Sequence, residues 1–240
     1  MSSSILLINK PPGPTSHDIV NMVRKKTGIR RVGHAGTLDP FAEGLLIILV
    51  GRDATKRQAE FLGMDKTYEA VIRLGATSTT EDCTGVIIVS EDPRFHGDES
   101  ELDPGLRRDD NLRQCTLTDI KKVVCSFIGT YDQMPSAYSA KKINGKKAYE
   151  LARAGIQPDL KPKKIIIRSI DILIYEWPLL TIRCSVSSGT YIRALARDIG
   201  EKLGVGAYVE KLKRTTIGPY SLDDAQMPPN QQNQFPNQFS

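Results

Sequence analysis

Residues 68–74 read Tyr68-Glu69-Ala70-Val71-Ile72-Arg73-Leu74, and apolar side chains occupy every second position from Tyr68 onward. Neighbouring side chains of a strand point to opposite sides of the sheet, so this period of two predicts a strand with one fully apolar face. Taken alone, Tyr68 is then a half-buried tyrosine of that strand. A hairpin partner for the strand is predicted at residues 86–89.

The segments on both sides of this strand mix strands and helices in irregular order. Further strands are predicted at 5–9, 165–175 and 179–186, and residues 45–50 are predicted to be a buried strand or a short core segment. Helices are predicted from Thr15 or Ser16 to Gly28, at 53–62, from a Thr118 cap to Ile128, at 147–154 and at 191–203. Because strands and helices do not alternate regularly, the chain is assigned to the α+β class with a mainly antiparallel sheet.

The 240-residue chain has a formal net charge of +5, and this charge is unevenly distributed. Residues 91–110 hold eight acidic and three basic side chains, so the rest of the chain carries about +10. Basic clusters lie at 24–26, 30–31, 141–142, 146–147, 161–164 and 211–214. A basic body indicates a polyanionic partner such as nucleic acid, although a well-solvated surface has the same composition.

Cysteine and histidine are too scattered to form a recognisable metal site. Cys83, Cys115, Cys125 and Cys184 lie at least ten positions apart, so zinc-ligand spacing is absent and reduced thiols of a cytoplasmic protein are expected. The N-terminus has no signal peptide pattern, and the longest apolar run, 45–50, is too short to span a bilayer.

The densest candidate for a functional site lies in a predicted loop at 33–44 and reads Gly33-His34-Ala35-Gly36-Thr37-Leu38-Asp39-Pro40. Its glycines allow the backbone to bend close to a ligand. Asp39 is the only carboxylate between Asp18 and Glu43 in the sequence. The alternative interpretation is an ordinary Asp-Pro turn without a chemical role.

A second candidate leads from a predicted strand into a helix and reads Ser187-Ser188-Gly189-Thr190-Tyr191-Ile192-Arg193. Exposed amides at a helix N-terminus can hold phosphate. The helix dipole disfavours a cation in the first turn, so Arg193 requires a carboxylate or phosphate partner unless it is a surface arginine. The chain contains no P-loop, no dinucleotide-binding glycine motif and no nucleophile elbow.

From about Leu6 to Tyr220 the sequence resembles the bacterial tRNA pseudouridine synthase B family. The resemblance is carried by blocks at 9–16, 33–46, 66–68 with 74–75, 138–150 and 189–200. It implies a pseudouridine synthase fold with a mixed but mainly antiparallel central sheet flanked by helices and loops. It also implies isomerisation of uridine 55 in the T loop of tRNA, by detaching uracil from C1′ and rejoining it through C5, without a cofactor or metal.

The resemblance implies a role for individual residues of this chain. Asp39 corresponds to the catalytic aspartate, as nucleophile or as assistant to a glycal route, and Arg193 to the arginine that pairs with it. Tyr68 corresponds to the tyrosine that stacks on the target base. The expected substrate-binding residues are His34, which takes part in base flipping, Tyr191 and Leu212, which line the uracil pocket, and Lys10.

The chain departs from the family pattern in three places. Pro135-Ser136 stands where many members have two prolines. The expected organisation is a catalytic domain at 1–225 with an acidic loop insertion at about 91–114, followed by a disordered Gln/Asn/Pro-rich tail at 226–240. No C-terminal RNA-binding domain of the PUA type is expected, so tRNA affinity should be weaker while the active site is intact.

Two alternatives to this function remain open. One is a pseudouridine synthase that acts on another RNA, and the other is an RNA-binding chaperone that folds tRNA without catalysis. The expected partner is the T-stem loop of tRNA, without a membrane or a required protein partner, and the expected form is a cytoplasmic monomer.

Overall fold

The computed structural model describes residues 3–89, 115–136 and 160–229, together with the backbone of 142–143 and 146–147. The chain divides into two compact units. The first unit comprises Met1–Glu69, Ser185–Ser188 and Leu212–Ser240, and the second comprises Ala70–Cys184 and Gly189–Lys211. The predicted acidic insertion at 91–114 lies outside the described residues, and so does the predicted helix at 147–154 except for Lys147, which belongs to a short strand.

The described strands, in chain order, are β1 (Ser4–Lys10), β2 (Val32–Ala35), β3 (Glu43–Val50), β4 (Lys66–Leu74), β5 (Ala76–Ser78), β6 (Ile87–Val89), β7 (Gly129–Gln133), β8 (Lys142–Ile143), β9 (Lys146–Lys147), β10 (Lys163–Glu176), β11 (Leu179–Val186), β12 (Ala207–Ile217) and β13 (Tyr220–Ser221). The described α-helices are α1 (Ser16–Thr27), α2 (Arg52–Lys56), α3 (Gln58–Gly63), α4 (Leu117–Cys125) and α5 (Ile192–Leu203). None of these helices is long and apolar enough to cross a membrane.

In the first unit, β3 is buried on both faces and organises the core. It pairs antiparallel with β1 and with β2, and parallel with the end of β12, where Arg214 lies opposite Gly44. Even-numbered side chains of β3 pack in a cluster with α1, and odd-numbered ones in a cluster with Ala54 of α2 and Phe61 of α3. A strand covered on both faces is a continuous apolar run, which is how residues 45–50 appear in the sequence.

Helix α1 begins and ends where local sequence dictates. The Thr15 hydroxyl accepts from the Asp18 amide while the Asp18 carboxylate accepts from the Thr15 amide, which is a capping box. Gly28 closes the helix in the left-handed conformation with a φ of 68°. Ile19, Val20 and Val23 form its buried face, as predicted.

In the second unit, the hydrogen-bonded order is β4, β11, β10 and β7. β7 runs antiparallel to the start of β10, with Gln133 opposite Lys163. Helix α5 buries Leu195, Ala196 and Ile199 on the face that the sequence predicted. Antiparallel pairs predominate and the β3–β12 pair is parallel, so the predicted α+β class with a mixed but mainly antiparallel sheet is confirmed.

Several predicted elements differ from the structure. Residues 33–35 of the predicted loop belong to β2, because they continue the ladder on β3. Residues 87–89 pair with β5 and not with β4, because the chain turns at Gly75, whose φ is 78°. Thr116, and not Thr118, caps α4.

Two further differences concern the C-terminal part of the first unit. The sequence predicted no strand at 207–217, where β12 lies, because its lysines and arginines interrupt the apolar pattern. Gln226, the first residue of the predicted tail, exchanges backbone hydrogen bonds with Leu7 and Asn9 at 3.0 and 2.8 Å. Residues 230–240 lie outside the described part of the chain.

Candidate active site

Asp39 lies in the turn between β2 and β3 of the first unit, and its side chain is half-buried. Gly36 opens the turn with a φ of 86°. The neighbouring Leu38 is held on both backbone groups by Ser16, whose Oγ lies 2.9 Å from the Leu38 amide and 3.1 Å from its carbonyl. On the other side, the Gly13 amide donates to the Pro40 carbonyl at 2.8 Å. The backbone around Asp39 is therefore fixed at both neighbours.

Arg214 of β12 joins the two ends of this turn and is only 1% exposed. Its Nε donates to the Leu45 carbonyl at 2.8 Å, and its Nη2 donates to the Gly36 carbonyl at 2.9 Å. The sequence groups Arg214 with the basic cluster at 211–214, and the structure shows that this member of the cluster is buried. Burial of the guanidinium is possible because backbone carbonyls satisfy its donors in a fixed planar geometry.

Lys10, at the end of β1, is a second buried cation in the same turn. Its ammonium donates to the carbonyls of Pro11, Pro14 and Pro40 at 2.8, 2.9 and 3.2 Å. That Lys10 binds substrate stays a prediction; in this structure the side chain is fully buried and backbone carbonyls accept from its ammonium. Its role in this structure is to hold the residue that follows Asp39.

The charges around the turn act on one another. Burial lowers the pKa of Lys10 to about 8, the negative charge of Asp39 opposes this, and the positive charge of Arg214 adds to it. Lys10 and Asp39 carry opposite charges and attract one another. A carboxylate at a fixed position is suited to chemistry at an electron-poor carbon.

His34 lies in β2 and is half-buried. Burial lowers its pKa, and the positive charges of Arg214 and His17 lower it further, so the imidazole is neutral at physiological pH. Its Nδ1 is buried and has no hydrogen-bond partner among the described residues. Gln58 fixes the backbone here by donating to the His34 carbonyl at 2.7 Å.

The remaining predicted residues of the first unit are more deeply buried. Tyr68 of β4 is 7% exposed and Leu212 of β12 is 6% exposed. The Arg214 guanidinium lies 6.0 Å from the centroid of the Tyr68 ring, at the limit of a cation–π contact. The first unit thus brings Tyr68 to the cation that closes the Asp39 turn.

In the second unit, Arg193 stands in the first turn of α5 and is 5% exposed. Its Nη1 donates to Oδ2 of Asp82 at 3.2 Å and to the Thr80 carbonyl at 3.0 Å. The sequence required an anion for Arg193, and within this unit the anion is a carboxylate. The pairing of Arg193 with Asp39 stays a prediction, since the two residues belong to different units.

Sequence reasoning missed Asp82, which is 4% exposed. Its Oδ1 accepts from the Thr80 hydroxyl at 2.7 Å and from the Thr84 amide at 2.9 Å, so the loop itself orients the carboxylate. An aspartate among threonines before Gly85 is typical of such a side-chain turn, and this pattern was the available signal. The sequence around Asp82 does not identify Arg193 as the partner of this carboxylate.

Tyr191 is the N-cap residue of α5, and its side chain makes no capping hydrogen bond to the first turn. Its backbone is instead bound by Gln133 of β7. Within the described residues, no group of three or more His, Cys, Asp or Glu side chains is arranged to hold a metal ion.

Comparison with known proteins assigns the chain to a family. Residues 24–192 match the TruB family pseudouridylate synthase (N terminal domain), and residues 193–232 match the tRNA pseudouridylate synthase B C-terminal domain. The tRNA pseudouridine synthase B of Protochlamydia amoebophila is 42% identical over 220 residues, which are 92% of this chain and 76% of that protein. That of Thermosipho melanesiensis is 44% identical over 92% of this chain.

The structure of an H/ACA RNP bound to a substrate RNA containing 2′-deoxyuridine is similar over 90% of this chain, with a TM-score of 0.60 and 25% identity. The chain spans 66% of the length of the Thermosipho relative and 48% of the matching chain in that RNP. The family match covers more than two thirds of the chain, and it includes the Asp39 turn and the Asp82 loop. The chain therefore belongs to the TruB family of pseudouridylate synthases.

Proposed function

We propose that this chain converts uridine 55 in the T loop of tRNA to pseudouridine, with Asp39 as the catalytic residue. Membership of the family and the names of the relatives, tRNA pseudouridine synthase B, support this substrate. The observation that carries the proposal is the Asp39 turn, a half-buried carboxylate whose backbone neighbours are held by Ser16, Lys10 and Arg214.

The reaction is an isomerisation, so its atoms balance without a second reactant. The bond between C1′ and N1 of uracil breaks, a bond between C1′ and C5 forms, and the proton on C5 moves to N1. In this proposal the Asp39 carboxylate acts at the ribose, either by attacking C1′ or by assisting a glycal route. Its fixed turn reduces the entropy that is lost when carboxylate and sugar reach reacting distance.

Arg193 is proposed, from the family resemblance, to pair with the catalytic carboxylate. A planar guanidinium supplies two parallel donors and can serve Asp82 and a further anion at once. In the same way, Tyr68 would stack on the target base, and Tyr191 and Leu212 would line the uracil pocket.

The target uridine must leave its folded loop before it can react, at a cost of a few kcal/mol. Neutral His34 is proposed to fill the space that the flipped nucleotide leaves. The low pKa of its imidazole supports this role, because a neutral ring stacks among bases without bringing a charge into the RNA loop. The basic clusters of the chain would bind the tRNA backbone.

We further propose that the chain acts in the cytoplasm as a monomer and needs no protein partner. The four cysteines are free thiols, which is typical of a reducing compartment. The second candidate is a pseudouridine synthase that acts on another RNA. The similarity to an RNP bound to a substrate RNA supports this candidate.

The test is incubation of the purified chain with an unmodified tRNA transcript, followed by mapping of pseudouridine at single-nucleotide resolution. The matched controls are the Asp39→Asn variant and a transcript with cytidine at position 55. Pseudouridine at position 55 alone, made by the parent only, is expected. Modification that is absent from tRNA but present in ribosomal RNA would favour the second candidate. Restored tRNA folding with no modification by either protein would indicate a chaperone.

A further inference from the structure

Gln133, the last residue of β7, makes two hydrogen bonds to the backbone of a single residue. Its Nε2 donates to the Tyr191 carbonyl at 3.0 Å, and its Oε1 accepts from the Tyr191 amide at 2.8 Å. The side chain is only 1% exposed. A primary amide that donates and accepts at once reproduces the pairing of a neighbouring strand, so it fixes both the position and the orientation of the Tyr191 peptide groups.

Tyr191 is the point at which α5 begins. As its N-cap, Tyr191 has the extended angles φ −102° and ψ 110°, and its carbonyl also accepts from the Leu195 amide at 3.1 Å. Helix N-caps are usually Ser, Thr, Asp or Asn, whose side chains bind the free amides of the first turn. Here the start of the helix depends instead on a side chain from another element, and Arg193 follows two residues later.

The preceding backbone is enclosed by the same pair of strands. Lys163 lies opposite Gln133 in the β7–β10 register. Its ammonium occupies the space at Gly189, where an added Cβ would lie 1.9 Å from Nζ. Gly189 has a φ of 77°, and this left-handed conformation is what favours glycine there.

We infer that Gln133 is a positioning residue for the reaction, and that it acts by holding the Tyr191 backbone and thus the first turn of α5 that carries Arg193. This inference rests on the proposed function, since it assigns catalytic importance to Tyr191 and Arg193. An error of about 1 Å in such a group can reduce a rate about 100-fold. Loss of the Gln133 amide without replacement also removes the partner of the Tyr191 amide, while the Tyr191 carbonyl keeps its bond from the Leu195 amide.

The test uses two substitutions of similar size, Gln133→Met and Gln133→Glu. Methionine can make neither hydrogen bond. A protonated glutamic acid can make both, because its O–H donates to the carbonyl while its C=O accepts from the amide. When ionised it can only accept, and it then faces the Tyr191 carbonyl with a negative charge. Burial raises the pKa of an introduced carboxyl, so this loss should occur between about pH 5 and 8.

The elements around the introduced carboxyl carry charged and titratable residues of their own, and these set the comparison. They are Tyr131 and Asp132 on β7, Lys163 opposite Gln133 on β10, and Arg193, Arg197 and Asp198 on α5. All of them are present in the parent as well. The quantity to compare is therefore the ratio of kcat for Gln133→Glu to kcat for the parent at each pH. Both values are measured at saturating concentrations of the unmodified tRNA transcript.

We expect Gln133→Met to reduce kcat about 10- to 100-fold with little change in KM for tRNA. The ratio for Gln133→Glu should approach one at the acidic end and fall about 10-fold or more as pH rises. The control Tyr175→Phe removes another hydrogen bond from a side chain to a backbone carbonyl, that of Cys115, and should keep the parent kcat and pH profile.

A parent-like kcat for Gln133→Met, or a ratio for Gln133→Glu that does not change with pH, would overturn the inference. Loss of a cooperative thermal transition in both variants would also reject it, because Gln133 would then serve folding. Amide exchange in the parent gives an independent readout, and the Tyr191 amide should exchange slowly. Failure of the proposed function is distinct, since the parent would then form no pseudouridine in tRNA.

Discussion

Nη1 of Arg193 lies 3.2 Å from Oδ2 of Asp82, and both side chains are about 95% buried, with exposed fractions of 6% and 5%. A charge pair that is removed from water contributes little net stability, but the loss of one partner is costly because the other charge stays buried. The pair therefore matters chiefly for where it holds the Arg193 guanidinium.

Asp82→Asn is predicted to lower the free energy of unfolding by about 2–4 kcal/mol, because asparagine keeps the shape and removes the charge opposite Arg193. Asp53→Asn is the matched control, since Asp53 is 80% exposed and lies 3.8 Å from Lys56. The control should change stability by less than about 0.5 kcal/mol. Denaturant unfolding of the three proteins measures this, and equal effects at both sites would contradict the structural role of the pair.

Asp39→Asn is predicted to reduce pseudouridine formation to a trace while tRNA binding stays close to that of the parent. The carboxylate is proposed to act on the ribose, and amide and carboxylate have nearly the same size. Single-turnover kinetics and filter binding with the same tRNA measure the two properties. Turnover well above a trace would show that Asp39 is an ordinary Asp-Pro turn residue.

Arg214→Lys is predicted to lower the free energy of unfolding by about 2–4 kcal/mol. It should also reduce kcat by a larger factor than it changes KM. An ammonium keeps the charge but cannot reach both Leu45 and Gly36, so the ends of the Asp39 turn separate. The control is Lys213→Met on the same strand, where the side chain is 43% exposed and 4.0 Å from Glu43. Thermal unfolding and steady-state kinetics of both variants test this, and similar results for the two positions would refute it.

Stability is predicted to rise between about pH 8 and 10.5 in a manner that depends on Lys10. The pKa of Lys10 is lowered from 10.5 to about 8 in the folded state. Below pH 8 both states are protonated and the full cost of burying the charge is present. As pH rises from 8 to 10.5 the folded state loses its proton first, so folding becomes more favourable by about 3 kcal/mol at most.

The measurement for Lys10 is urea unfolding of the parent and of Lys10→Met at pH 7.5, 9 and 10.5. Other lysines and tyrosines titrate in both proteins, so the difference between the two isolates Lys10. That difference should become more favourable to the parent as pH rises. A difference that stays constant would mean that burial does not lower the pKa of this ammonium.

Replacing Lys146 and Lys147 together with Ala is predicted to flatten the salt dependence of tRNA binding. Each neutralised phosphate contributes about −0.7 to −0.9 to the log–log slope, so the change should be about one to two units. The control is the pair Lys121 and Lys122 of α4, which removes the same charge elsewhere. Affinities across a salt series for parent and both variants decide it. Equal slopes in all three would place the RNA path away from Lys146 and Lys147.

The sequence by itself determined those elements whose cause is local. Thr15 and Gly28 set the limits of α1 because a capping box and a left-handed glycine act over a few residues. The alternation at 68–74 and the apolar run at 45–50 predicted their strands because burial on one or both faces leaves a periodic pattern. The Asp39 block was also identified from a local feature, because it places a single carboxylate in a turn that its own glycines permit.

Only the tertiary structure decided the contacts that give the site its geometry. Arg214 belongs to a run of basic residues, a composition typical of a solvated surface. Nothing in that run indicates that the Arg214 guanidinium is buried and donates to the carbonyls of Gly36 and Leu45. Asp82 and Gln133 reach Arg193 and Tyr191 across more than fifty positions of the chain. Such pairs form because folding brings distant segments together and each buried polar group then requires a partner, a condition that no local pattern encodes.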